Sequence, residues 1–274
     1  IEAAMVPAAR HFSAANGNVL DDPRLVVSIN DARNELTYSD RTYDVIVSEP
    51  SNPWMTVASN LFTEEFFRLV RTRLRPGAIF CQWIQTYGLA TEDLRSVVAA
   101  FRASFPQALL FETFRGTDLL LLGSDHPLRF DLDRVAGRMS ELRVRMDLAR
   151  VGTRNPVDLL PLLRLGGPEI ERFAARAERN TDDNARVEFS APRTLYAPTS
   201  EETLARIAEL AVDPIGHVEP RPASRAEEDR LRLRLARACL DRDQRRRAAR
   251  IARSLVPGPL EEESTAFLKE YGLF

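Results

Sequence analysis

Two short runs, residues 43–47 (YDVIV) and 25–29 (LVVSI), are rich in β-branched residues and apolar on both faces. Strands of that kind belong inside a sheet covered on both sides, the habit of parallel sheets joined by crossover helices. Helical patterns alternate with them. Thr63 is placed to cap a helix whose Phe66, Phe67, Val70 and Leu74 recur at helical spacing until Arg75-Pro76-Gly77 stops it. Residues 78–83 (AIFCQW) then form the next expected strand. Thr91 is expected to cap a helix carrying Leu94, Val97, Val98, Phe101 and Phe105, with Pro106 at its end. Residues 108–113 and 118–123, joined by Phe114-Arg115-Gly116-Thr117, are spaced as an antiparallel hairpin. Strand alternating with helix and closed by a hairpin predicts an α/β fold built on a doubly wound sheet.

Beyond His126-Pro127 the chain changes character. Helical segments rich in Arg, Asp and Glu are broken by Pro156, Pro161, Gly166-Gly167-Pro168, Pro192 and Pro198. From Ser200 onward four amphipathic stretches, 201–212, 225–240, 244–256 and 260–271, suggest stacked helical hairpins of tetratricopeptide type without a clean repeat. Three regions are therefore expected: a sheet domain over 1–127, a cap or linker completing it over 128–198, and a helical-hairpin region over 199–274.

Charge and cysteines narrow the partners. The formal charge of -2 supplies no net field for nucleic acid or an anionic membrane, and no nucleic-acid partner is expected. The run Arg245-Arg246-Arg247 alternates with apolar residues as a solvated helix face does. Cys81 and Cys239 have no disulfide or zinc spacing, and His11, His126 and His217 share no ligand spacing, so no metal is expected. No apolar run approaches the about 18 to 20 residues that cross a bilayer, so this segment is not expected to insert into a membrane. A reducing, cytoplasmic setting fits. Self-association into a homo-oligomer is left open. The chain starts at Ile1-Glu2 without an initiator Met, which suggests that upstream sequence is missing.

In a doubly wound sheet ligands bind beyond the carboxyl ends of the strands, so acidic residues there come first. Glu2 would end one strand, Asp31 and Ala32 follow the next, and Glu49 follows the third. A carboxylate at the position of Glu2 can accept two hydrogen bonds from a ribose diol. Asp31 can accept from an adenine amine, with small Ala32 leaving room for the ring, or it can cap the following turn. The stretch Ser48-Glu49-Pro50-Ser51-Asn52-Pro53-Trp54 directly after a buried strand serves neither helix nor sheet and marks a site loop. Gln82, Trp83, Gln85 and Tyr87 are candidates for a polar and aromatic pocket wall. The Thr181-Asp182-Asp183-Asn184 cluster is expected to be a structural loop folding over the site.

Glu2, Asp31-Ala32, residues 43–47 and Glu49-Pro50-Ser51-Asn52-Pro53 resemble, in order and spacing, the spermidine synthase superfamily over about residues 1 to 125. Asn180-Thr181-Asp182-Asp183-Asn184 and residues 188–193 are similar to a bacterial branch often fused behind membrane-spanning segments. In such a parent the chain would face the cytoplasm at the inner membrane. The resemblance implies a Rossmann-like, methyltransferase-type sheet lacking its first strand and the Gly-rich turn that approaches the donor. It implies aminopropyl transfer from decarboxylated S-adenosylmethionine to a polyamine-type acceptor, with no tightly bound cofactor. Glu2 would hold the ribose, Asp31 and Ala32 would lie at the adenine, Glu49 would act as catalytic base, and Asn52, Gln82 and Tyr87 would line the acceptor site. Two positions depart from the family pattern: Glu49 stands for an aspartate, and Asn52 for a second acidic residue. Those departures remove one attraction for a doubly charged diamine, so acceptors other than putrescine are compatible with them. Methyl transfer from S-adenosylmethionine and a catalytically silent nucleoside-binding or assembly module are the rival expectations, and loss of the Gly-rich turn favours an inactive protein if the chain is complete.

Overall fold

The computed structural model describes residues 2–114 and 116–273. Ile1 at the expected chain start and Arg115 in the expected hairpin turn lie outside the described residues. Compactness divides the chain into residues 1–42 and 43–274.

The first unit is helical and irregular. Helix α1 spans Met5–Ala9, α2 Ser13–Asn16 and α3 Ala32–Tyr38. The strand expected at residues 25–29 does not form. These residues are irregular, and Val26, Val27 and Ile29 are exposed. A strand is stable only when a neighbour takes its backbone N–H and C=O groups, and no second strand exists among the described residues of this unit. Glu2 likewise ends no strand, since a turn leads from it into α1.

The second unit opens with β1 (Tyr43–Ser48), α4 (Glu64–Thr72), β2 (Leu74–Gln85), α5 (Thr91–Ser104), β3 (Gln107–Phe114) and β4 (Asp118–Ser124). It continues with β5 (Phe130–Asp131), α6 (Leu132–Met139), α7 (Leu142–Arg150), β6 (Leu163–Gly166), α8 (Gly167–Ala174), α9 (Arg186–Ser190) and α10 (Thr199–Leu210). Strand β7 (Val218–Glu219), α11 (Arg225–Asp241), α12 (Arg245–Arg253) and α13 (Glu261–Glu270) complete it. The main sheet has the order β1-β2-β4-β3-β6, and β5 pairs with β7. β1 and β2 run parallel, whereas β4 pairs antiparallel with both β2 and β3. The mixed α/β architecture and the hairpin of the sequence reading are thus present.

Thr63 caps α4 as expected, its hydroxyl accepting from Phe66 N at 3.3 Å. Leu74, expected on that helix, instead starts β2, because the helix ends at Thr72. Thr91 is the first residue of α5 rather than its cap: Ala90 holds that position and the Thr91 hydroxyl lies 2.9 Å from that of Thr203. On the sheet face under α4 and α5, Phe67, Phe80, Phe101 and Phe105 are buried, with the rings of Phe80 and Phe101 stacked at 5.7 Å. Gly123 of β4 fits only as glycine, since a Cβ there would lie 2.6 Å from Phe105 and 2.8 Å from Phe101. The C-terminal helices share one core with earlier segments: Leu235, Cys239, Ala248 and Phe267 cluster with Val157, Leu160, Ile215 and Val218.

Candidate active site

The parallel pair β1 and β2 ends with Ser48 beside Gln82 and Val47 beside Cys81. Glu49 therefore leaves the sheet at its carboxyl edge, where a ligand is reached in sheets of this type. It is exposed and has no hydrogen-bond partner among the described residues. Its charge reaches Cys81, a half-buried thiol pushed up to about 11 by burial first and by Glu49 second.

The loop that follows is fixed at its far end. Pro53 is buried, and Met55 N donates to Asn52 O at 3.0 Å, closing a turn around the half-buried Asn52. The Trp54 indole lies against Gly88, so close that a Cβ there would meet its ring at 3.0 Å, and Gly88 itself has a φ of +63°. Glycine is required twice at that point, by the close approach and by the left-handed backbone. The loop after β1 is thereby docked onto the loop after β2.

Gln82 is fully buried. Its Nε2 donates to Trp83 O at 2.9 Å, while its Oε1 has no partner. Gln85 is also fully buried, and neither of its amide atoms has a partner. Buried amides without partners cost free energy, about 1 to 3 kcal/mol by the usual mutational scale, and at a strand end they mark unused hydrogen-bonding capacity. Tyr87 is exposed, its phenol shifted upward by partial burial and by the charge of Asp118. Thr86 anchors the turn between them, donating to Gly116 O at 2.6 Å.

In the first unit, Asp31 caps α3 by accepting from Asn34 N at 2.9 Å, the local role that the sequence left open beside adenine binding, and Ala32 begins that helix. Glu2 is exposed and accepts from Ala4 N at 3.0 Å. In the second unit the cluster at 180–184 is a structural loop. Asn180 donates to Phe62 O at 3.0 Å and accepts from Val187 N at 3.1 Å, and Asp182 N donates to Glu65 at 2.9 Å. Sequence reasoning missed the proximity of Cys81 to Glu49, which the parallel register of β1 on β2 would have shown once the pairing was assigned.

Residues 1–114 match the family model of the spermine/spermidine synthase domain. That stretch, less than half of the chain, is similar to the spermidine synthase superfamily. The polyamine aminopropyltransferase of Synechococcus sp. (strain JA-2-3B'a(2-13)) is 31% identical over 135 residues, which cover 47% of this chain and 43% of that protein. The polyamine aminopropyltransferase of Korarchaeum cryptofilum (strain OPF8) is 24% identical over 129 residues, covering 46% and 40%. The chain thus spans less than half the length of these relatives. Among solved structures, a probable spermidine synthase from Corynebacterium glutamicum ATCC 13032 aligns with a TM-score of 0.43 and 18% identity, over 64% of this chain and 61% of that one. No helix among the described residues is long and apolar enough to cross a membrane.

Proposed function

We propose that this protein carries out aminopropyl transfer from decarboxylated S-adenosylmethionine to an amine acceptor of polyamine type, in the cytoplasm. The observation that carries the reading is Glu49: an unpaired carboxylate at the carboxyl edge of β1, on a loop pinned by Trp54, within the stretch that matches the family. Glu49 accepts a proton from the acceptor ammonium, leaving a neutral amine as nucleophile. The amine nitrogen then attacks the carbon next to the sulfonium. A C–N bond forms, the C–S bond breaks with its electron pair going to sulfur, and methylthioadenosine leaves. Such a displacement depends on alignment and desolvation more than on further acid catalysis.

Asn52, Gln82 and Tyr87 are assigned to the acceptor, which they meet with neutral groups; Glu49 is the charged group of this set. For the first unit, the family resemblance supports Glu2 as the ribose carboxylate and Asp31 with Ala32 as adenine neighbours. The bonds that Glu2 and Asp31 make to backbone N–H groups leave acceptor lone pairs on both carboxylates.

The test is an assay of the intact protein with decarboxylated S-adenosylmethionine and a panel of mono-, di- and triamines, following methylthioadenosine. The expected result is its release with at least one amine, falling by about 100-fold or more in Glu49→Gln. Transfer from S-adenosylmethionine with release of S-adenosylhomocysteine would favour methyl transfer, and no turnover of either donor would overturn the assignment.

A further inference from the structure

Helices α11 and α12 carry a charge that the rest of the chain opposes. Between Arg225 and Ser254 there are eleven arginines against five carboxylates, a formal +6 in a chain of -2. Most of these arginines lie on solvated faces, but three converge. A cavity of about 230 Å³ lies between the end of α10 and α12, lined among others by Arg232, Arg247, Arg250 and Asp213.

Arg247 is the unusual member. It is buried, and among the described residues its guanidinium bonds only neutral acceptors: Nη1 donates to Pro161 O at 2.9 Å and Gln244 Oε1 at 3.2 Å, and Nη2 donates to Leu163 O and Val212 O, each at 3.2 Å. Burial brings it down to about 10, so it stays protonated at neutral pH. Carbonyl groups satisfy its hydrogen bonds but leave its charge uncompensated, and buried charges are ordinarily paired. The nearby Cys239 offers no compensation, since burial pushes its thiol up to about 11. Asp213 is already held by Arg232 at 2.8 Å, and Arg232 also holds Glu228 at 2.7 Å. Arg250 is exposed, and its side chain has no acceptor among the described residues.

Three guanidinium groups and one carboxylate give the cavity wall a formal +2. We propose that this cavity is a binding site for a small phosphate monoester, with Arg250 as its main donor and the buried, uncompensated charge of Arg247 as its main electrostatic attraction. A phosphate anion offsets the charge left on Arg247 and Arg250, and the Arg250 guanidinium is free to bind two of its oxygens. A concave site of this size also selects a compact anion over a polymer laid along the helix. The site is independent of the reaction proposed for Glu49.

Calorimetry with inorganic phosphate as the probe, at low ionic strength and against chloride at matched ionic strength, tests the site on the intact protein. The expected result is saturable binding, weakened at least about tenfold in Arg250→Ala, partly restored in Arg250→Lys and unchanged in Arg234→Ala on the exposed face of α11. Arg250 is exposed, so its replacement should leave the melting curve without phosphate unmoved. The proposal is overturned if no saturable heat appears up to about 10 mM phosphate, if Arg250→Ala binds like the parent, or if Arg234→Ala loses as much.

Discussion

The two units of this chain are held together by different means. Among the described residues up to Thr42, Leu36 is the one buried hydrophobic side chain. Local hydrogen bonds order the rest: Asp31 caps α3, Glu35 accepts from Asn30 and Ser28 at 3.0 Å each, and Asn16 donates to Ala9 O at 2.9 Å. From Tyr43 onward the aromatic cluster of Phe67, Phe80, Phe101 and Phe105 sits under two helices on a hydrogen-bonded sheet. Local bonds give a segment its shape, whereas cooperative stability comes from apolar surface taken out of water.

The contrast is broken most directly in the core. Phe101 is fully buried and touches the rings of Phe67, Phe80 and Phe105 at 4.9 to 5.7 Å. Phe101→Ala is expected to cost about 3 to 5 kcal/mol. Trp54 and Trp83 both lie in the second unit, so their fluorescence in a urea titration reports its unfolding. Leu36→Ala should leave that transition where it is. An equal shift from the two variants would show that the units unfold as one and that the contrast is wrong.

Helix caps give a smaller and sharper version of the same test. Thr63 and Asp31 perform the same chemistry, each accepting a backbone N–H three residues on. Thr63→Ala should lower the stability read by tryptophan by about 1 kcal/mol, because the cap belongs to a helix buried on the sheet. Asp31→Ala should leave that reading unchanged and remove only helical circular dichroism from α3. A matching loss of tryptophan-detected stability in Asp31→Ala would again join the units.

The same physics explains what could be read from the sequence. Residues 43–47 and 25–29 carry the same signal, yet among the described residues only the first has a strand neighbour, β2, to take its backbone bonds, and even there Val45 and Val47 are exposed, so the two-sided cover that the signal predicts is not met. Periodicity reports which faces are apolar and is silent about the ladder partner. The hairpin of β3 and β4 was legible because its partner is adjacent in sequence. Thr91 was misplaced because its hydroxyl meets Thr203, a contact across 112 residues that local cap chemistry does not reveal. The site loop was legible from Glu49 to Trp54 because two prolines and a tryptophan after a strand have no use in regular structure. That Gln85 is wholly buried with an unpartnered amide follows from tertiary packing, and no local pattern announces it.

The smallest expected effect asks whether the contrast extends to the carboxylates assigned to function. In the first unit Glu2 and Asp31 each accept a neighbouring N–H, while Glu49 is unpaired and acts on the sheet through its charge on Cys81. That charge disfavours the thiolate, so Glu49→Gln should let the Cys81 thiol fall from about 11. Alkylation by iodoacetamide proceeds through the thiolate, and at pH 8 to 9 a downward shift raises the thiolate fraction in proportion. The variant should therefore react about two- to threefold faster at Cys81, with Cys239, fully buried, as a slow internal reference. Burial is the larger cause of the shift, so the thiol should remain well above its ordinary value even in the variant. Equal rates in the two proteins would mean that Glu49 points away from Cys81, and the base assigned to the reaction would lose its placement over β2.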